Sequence, residues 1–156
     1  MGHWECDTVI GAAHKQAIVT VVERKSGYAV MAKVSNKTSD LVGSAIIKAL
    51  KPFEPRVKTL AYDNGIEFSG HATIDEALGS KGYFARPFAS CERGSNENFN
   101  GLLRQYVPKK RQLASITDEE IKMIENRLNN RSRKRLGFRT PAEVFHQSLS
   151  RDALRA

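Results

Sequence analysis

Between residues 35 and 39 the apolar pattern of this chain changes period, and few folds accommodate what lies on either side of the change. Before it come three runs of strand character. Residues 3 to 11 alternate, with Glu5, Asp7 and Val9 on one face and Trp4, Cys6, Thr8 and Ile10 on the other. Ala17 to Glu23 is almost continuously apolar and β-branched, as in a strand covered on both faces, and Tyr28 to Val34 follows a turn at Arg24-Lys25-Ser26-Gly27. Short loops between the three make an antiparallel meander. After the change, Val42, Ala45, Ile46, Ala49 and Leu50 recur at helical spacing behind a Thr38 or Ser39 cap, and Pro52 and Pro55 close the element. Val57 to Tyr62 is the next strand. A helix between two strands of one sheet requires a crossover and a parallel pairing, so the fold is α/β with a mixed sheet.

The remaining elements extend that frame. His71 to Leu78 reads as a short helix stopped by Gly79, and Gly82 to Ala85 as a short strand. A glycine-containing approach beginning at Cys91 leads into a helix reaching Tyr106. Thr117-Asp118-Glu119-Glu120 is a capping box opening a helix with Ile121, Ile124 and Leu128 on its buried side. Thr140-Pro141-Ala142-Glu143 opens the last one. At 156 residues the chain reads as one domain, with 40% hydrophobic residues and no run of about 18 apolar residues that could span a membrane. Nothing at Met1-Gly2-His3-Trp4-Glu5 reads as a signal peptide, so a cytoplasmic protein with no membrane partner is expected. Cys6 and Cys91 are too few for a disulfide framework, and His3, His14, His71 and His146 show no metal-ligand spacing.

The chemistry is carried by acids in unusual places. The apolar run Leu60-Ala61-Tyr62 stops at Asp63-Asn64-Gly65, which delivers a carboxylate to the rim of a sheet, where open α/β folds place their sites. Asp7 lies inside a strand, where an unpaired carboxylate is costly and should face a partner, water or a metal. Glu97 lies on a helix rich in Asn and Gly, poor in intrinsic stability, with Arg93 and Arg104 on the same face. The net charge of +8 is concentrated: residues 100 to 139 hold eleven Lys or Arg against four acids. That excess points to a polyanionic partner.

Taken together, Gly2-His3-Trp4-Glu5 with Asp7, Tyr62-Asp63-Asn64-Gly65 with Glu67-Phe68, Arg93-Gly94-Ser95-Asn96-Glu97-Asn98, and Asn129-Asn130-Arg131 followed by Leu136-Gly137-Phe138-Arg139-Thr140-Pro141 resemble the catalytic core of a bacterial DDE transposase of the insertion-sequence-thirty family. The resemblance covers roughly residues 2 to 146, and the 33 residues between Asp63 and Glu97 match the spacing of that family. It implies a ribonuclease H-like fold, the fold of retroviral integrases, with a five-stranded sheet in the order 3-2-1-4-5 flanked by helices. Asp7 would sit on the first strand, Asp63 at the end of the fourth and Glu97 on the helix after the fifth.

The implied activity is DNA cleavage and strand transfer supported by two magnesium ions, with manganese as a substitute. Asp7 would bridge both ions, Asp63 complete one site and Glu97 the other. Glu92 and Glu67 are rivals for the third position, and Glu67 could instead support the turn after Asp63. Asn64, Arg93, Asn96, Asn100 and Arg104 lie near enough to contact DNA, and Lys109, Lys110 and Arg111 form a basic loop suited to phosphates. The implied partners are transposon ends and target DNA, with a homo-oligomer assembled on DNA at the nucleoid. Cys6 and Cys91-Glu92 depart from the family pattern without touching the three acids. An N-terminal helix-turn-helix region is expected of complete family members, which makes 1–156 a single integrase-type core. A nuclease of the same fold and a catalytically silent DNA-binding module are the alternatives.

Overall fold

The strand Ala17–Glu23 (β2) is buried at every position, as its unbroken apolar run requires. The computed structural model describes residues 1–12, 15–86 and 94–153. β2 pairs antiparallel with His3–Ile10 (β1) on one side and with Ala29–Val34 (β3) on the other. Between β2 and β3 the turn is built by Gly27, at φ 72°, and by the Glu23 carboxylate, which accepts from the amides of Lys25 and Ser26.

Helix Ser39–Leu50 (α1) begins at Thr38, whose hydroxyl accepts from the Leu41 amide. The prolines that follow do not simply end it: Lys51–Arg56 continues as a 3-10 segment, so the next strand starts two residues later than its apolar run suggests, at Thr59–Tyr62 (β4). β4 lies parallel to β1. His71–Leu78 (α2), closed by Gly79 at φ 60°, then leads to Lys81–Phe84 (β5), parallel to β4. The sheet order is β3-β2-β1-β4-β5, the order the motif resemblance implies.

Alternation along β1 divides the core in two. Trp4 and Cys6 pack with Val42, Ile46, Leu60 and Phe68 on the face covered by α1 and α2. Val9 packs with Ile18, Phe99, Leu103 and Ile124 on the face covered by Gly94–Leu103 (α3) and Asp118–Asn129 (α4). Pro141–Ala153 (α5) returns to the first face, where Phe145 stacks on Tyr28 at 4.4 Å between ring centroids and meets Trp4 edge-on at 5.6 Å. Its start is a reciprocal capping box, Thr140 N–H to Glu143 Oε2 at 2.7 Å and Glu143 N–H to Thr140 Oγ1 at 3.1 Å.

The capping box expected on α4 is only half formed. Thr117 accepts from the Glu120 amide, but the Glu120 carboxylate turns to Arg111 instead. α4 also seals the edge strand β3, whose open amides are otherwise a template for unwanted pairing. Asn129 bonds to both the N–H and the C=O of Ala29, at 2.9 and 2.8 Å, and Glu125 accepts from the Met31 amide at 2.7 Å. Among the described residues, no helix is long and apolar enough to cross a membrane.

Candidate active site

The parallel pairing of β1 with β4 sets the site. Its register places Glu5 opposite Ala61. Two positions further along each chain, just past the last paired residues, stand Asp7 and Asp63, so the pairing directs both acids to the same end of the β1–β4 seam. Asp63 is the first residue past β4, and both aspartates are half-buried.

Each oxygen of Asp7 is oriented. Oδ1 accepts from the Thr8 amide at 2.8 Å and Oδ2 from the Asn100 side-chain amide at 3.0 Å. Asn100 in turn faces Thr20, which stands directly opposite Asp7 on β2 and comes within 3.1 Å of Asn100 Oδ1 and 3.4 Å of Asn96 Oδ1. One hydroxyl proton serves one of these acceptors at a time. The N-terminus of α3 is held by a second strand residue: buried Glu5 accepts from the Asn96 amide at 2.8 Å and pairs with Arg24 at 3.0 Å. A carboxylate at a helix N-terminus satisfies an orphan amide and complements the helix dipole. α3 therefore lies along β1 with Asn96 by Glu5, Asn100 by Asp7 and Arg104 bonded to the Ile10 carbonyl at 3.1 Å. Glu97, three residues before Asn100, is exposed beside that line.

The turn after Asp63 is fastened to β1 as well. Glu67 is buried; its Oε1 accepts from Thr8 Oγ1 at 2.9 Å and pairs with Lys37 at 2.8 Å. Burial pushes the Glu67 carboxyl up, but hydrogen bonds from Lys37, its own amide and Thr8, with the Lys37 charge, outweigh it and hold the group below the usual carboxylate range. A Cβ on Gly65 would lie 2.3 Å from Glu67 Oε2, so the carboxylate can tuck under this turn only because residue 65 is glycine. Glu67 is thus committed to supporting the Asp63 turn.

Among the described residues, no three His, Cys, Asp or Glu side chains converge closely enough to hold a metal ion. The donor set still suits one. Asp7, Asp63 and Glu97 offer only oxygen atoms, which hard divalent ions select. Brought together, their like charges would repel, and a dication among them would turn that repulsion into shared attraction.

The expected DNA-contacting residues divide. Asn96 is a correction: it is fully buried, and docks α3 on Thr20 rather than facing a ligand. Asn100 orients Asp7, Arg104 pins the end of α3, and Arg111 forks onto Glu120. Lys109 and Lys110 are exposed, as is Asn64, whose amide donates to the Ala85 carbonyl at 2.7 Å. Arg93, Glu92, Cys91 and His14 lie outside the described residues. Cys6 is fully buried on the opposite face of β1 from Asp7, and burial, then the charges of Asp75, Asp7 and Glu5, push its thiol well above its ordinary range, which leaves it inert. Glu5, Thr20 and Lys37 were not singled out from the sequence. A threonine inside the apolar run of β2 and an acid two residues before Asp7 on the same strand face were the available signals.

The chain belongs to the integrase core domain family, which matches residues 1–90. Among its relatives, the transposase of insertion sequence element IS4351 from Bacteroides fragilis is 43% identical over 153 residues, 98% of this chain and 47% of that protein. Transposase InsI of IS30A from Escherichia coli K12 is 41% identical over 152 residues, 96% of this chain and 39% of that protein. The chain thus spans about half the length, or less, of these relatives. The catalytic core domain of BIV integrase shares the fold, with a TM-score of 0.75 over 97% of this chain and 98% of that one at 22% identity. The resemblance to a DDE transposase catalytic core stands on these matches.

Proposed function

We propose that this chain cleaves DNA phosphodiesters and transfers the freed strand end to a target during transposition, through Asp7, Asp63 and Glu97. What supports the reading is the parallel register of β1 and β4, which runs toward Asp7 and Asp63 at one end of their seam, with the helix of Glu97 tied to Asp7 by Asn100. In the first step water attacks phosphorus, a new O–P bond forms, and the bond to the 3′ oxygen breaks to leave a 3′-hydroxyl. In the second, that hydroxyl attacks a target phosphate and displaces the target's own 3′ oxygen. Asp7, Asp63 and Glu97 would hold divalent ions, magnesium or manganese, which when bound activate the attacking oxygen and stabilise the leaving one. Thr8 and Asn100 fix the direction of the Asp7 carboxylate, while Glu67 and Gly65 fix the turn that presents Asp63. The exposed Lys109 and Lys110 track phosphates, and the reaction takes place on DNA in the cytoplasm, with copies of the chain assembling on the transposon ends.

The test follows nicking of supercoiled plasmid, and joining of a labelled 3′-hydroxyl oligonucleotide to it, with manganese or magnesium present. Asp63→Asn should lower both by about a thousandfold, several kcal/mol of barrier. Full activity in Asp63→Asn would refute the assignment of the acids. Nicking without joined product in the wild type would replace strand transfer by hydrolysis alone.

A further inference from the structure

The loop between α4 and α5 is dense in cations and closed tightly on itself. Residues 131–139 read Arg-Ser-Arg-Lys-Arg-Leu-Gly-Phe-Arg, five cations and no acid. Two backbone bonds close its neck, Arg133 N–H to Arg139 C=O at 2.9 Å and Phe138 N–H to Arg133 C=O at 3.0 Å. Inside, Leu136 and Gly137 donate back to Arg133 and Lys134, each at 3.0 Å. At the tip Gly137 and Phe138 both take the left-handed conformation, with φ of 65° and 62°. Glycine adopts it freely; a bulky aromatic residue does so only under constraint. Phe138 is also 73% exposed, so no burial offsets the strain. A residue held in an unfavourable backbone conformation with its ring in water is placed for a ligand rather than for the fold.

The surrounding charges say what ligand. Arg131 donates to Gln105 Oε1, Arg133 to the Leu128 carbonyl and Arg135 to the Lys25 carbonyl, each at 3.1 Å. These acceptors are neutral, so they orient the guanidinium groups without cancelling their charge. Burial, then the neighbouring charges of Arg131 and Arg135, hold the Arg133 guanidinium below its ordinary value, as expected where cations are crowded together. Arg135 also borders, with Glu5, Arg24, Gly94, Ser95 and Asn98, a cleft of about 340 Å³ at the start of α3, the helix that carries Glu97; the Glu5 carboxylate there is already paired with Arg24. The loop therefore adjoins the end of the candidate active site.

We infer that the 131–139 loop is a nucleic-acid clamp in which the arginines hold phosphates and Phe138 stacks on an unpaired base of the DNA under reaction. It rests on the reading of the chain as a DNA-processing core. A rigid aromatic face among cations is the arrangement that binds single-stranded segments, since every base offers a π-face. The preformed left-handed tip presents the ring without an ordering cost on binding.

The test measures binding of the full chain by fluorescence anisotropy, in EDTA so that no cleavage intervenes. The two probes are a blunt duplex and the same duplex with an unpaired tail containing 2-aminopurine. Phe138→Ala and Phe138→Gly should weaken binding of the tailed duplex about tenfold and abolish the 2-aminopurine signal, while leaving the blunt duplex within about twofold. Phe138→Trp should restore both. Phe138→Gly removes the backbone strain, so its melting temperature, measured alongside, separates lost stacking from lost folding. Arg135→Ala should weaken both probes and lower the salt slope by about one. Wild-type binding of the tailed duplex by Phe138→Gly, or an equal loss on both probes, would overturn the inference. That result leaves the transposase reading intact if Asp63→Asn still fails to nick. Failure of the wild-type chain to bind either probe would remove both.

Discussion

α3 and α4 lie side by side on one face of the sheet, sharing a core through Phe99, Leu103, Ile121, Ile124 and Leu128, yet they are specified by opposite means. α4 has an N-cap threonine, three acids in its first turn, an arginine in its last, and an apolar stripe. Its polar bonds go to the backbone of an edge strand and close it. α3 is Gly-Ser-Asn-Glu-Asn-Phe-Asn-Gly-Leu-Leu, a sequence with little intrinsic helicity. Its polar bonds go mainly to side chains: Glu5 takes the Asn96 amide, Thr20 faces Asn96 and Asn100, and Asn100 holds Asp7. One helix is optimised to stay folded, the other to hold a carboxylate in place. Asn96 and Asn100 on α3 are therefore where stability was given up for positioning.

The comparison can be broken from the stable side first. Ile124 is fully buried, and Ile124→Ala should lower the unfolding free energy by ~3 kcal/mol in urea titrations. A loss under ~1 kcal/mol would mean that α4 does not anchor this face. Asn100→Ala should do the reverse. Its unfolding midpoint should stay near the wild-type value while nicking falls about tenfold to a hundredfold, with partial recovery at higher manganese, because it orients a ligand rather than filling the core. An activity loss matched by an equal loss of stability would make Asn100 only a packing residue.

The smallest effect sharpens the role of Glu67. Its folded-state carboxyl titrates below the ordinary value of 4.5, so its charge stabilises the protein above that pH, and the contribution is lost as pH falls through the lower folded value. Melting temperatures of the wild type and Glu67→Gln should therefore converge as pH is lowered below the ordinary carboxylate value of 4.5. A gap that stays constant as pH falls would mean that the carboxylate charge is not what holds the turn.

Much of the fold was legible because its signals are local. The unbroken run of β2, the alternation of β1, the Thr38 cap and the Gly79 stop each announce their element, and the parallel pairing of β4 follows from the intervening helix. Asp63 was visible as an acid ending an apolar strand, and Asp7 as an acid inside one. What stayed hidden depends on contacts between residues distant in the chain. Asn96 reads as a polar residue beside Glu97, and only the docking of α3 on β2 reveals that it is buried against Thr20, 76 residues away in sequence. Glu5 reads as one of two acids on an alternating strand, and its capping of α3 spans 91 residues. The strain at Phe138 is invisible in sequence because a Gly-Phe pair fits many turns, and only the closed neck of the loop forces both residues left-handed.

The central claim is that Asp7, Asp63 and Glu97 form one metal-dependent centre. Its most direct test is isothermal titration of manganese into the wild-type chain and into Asp7→Asn, Asp63→Asn and Glu97→Gln, with DNA present. The account predicts a binding isotherm in the wild type that is lost in the two aspartate variants and weakened in Glu97→Gln. An isotherm unchanged by all three substitutions would contradict it.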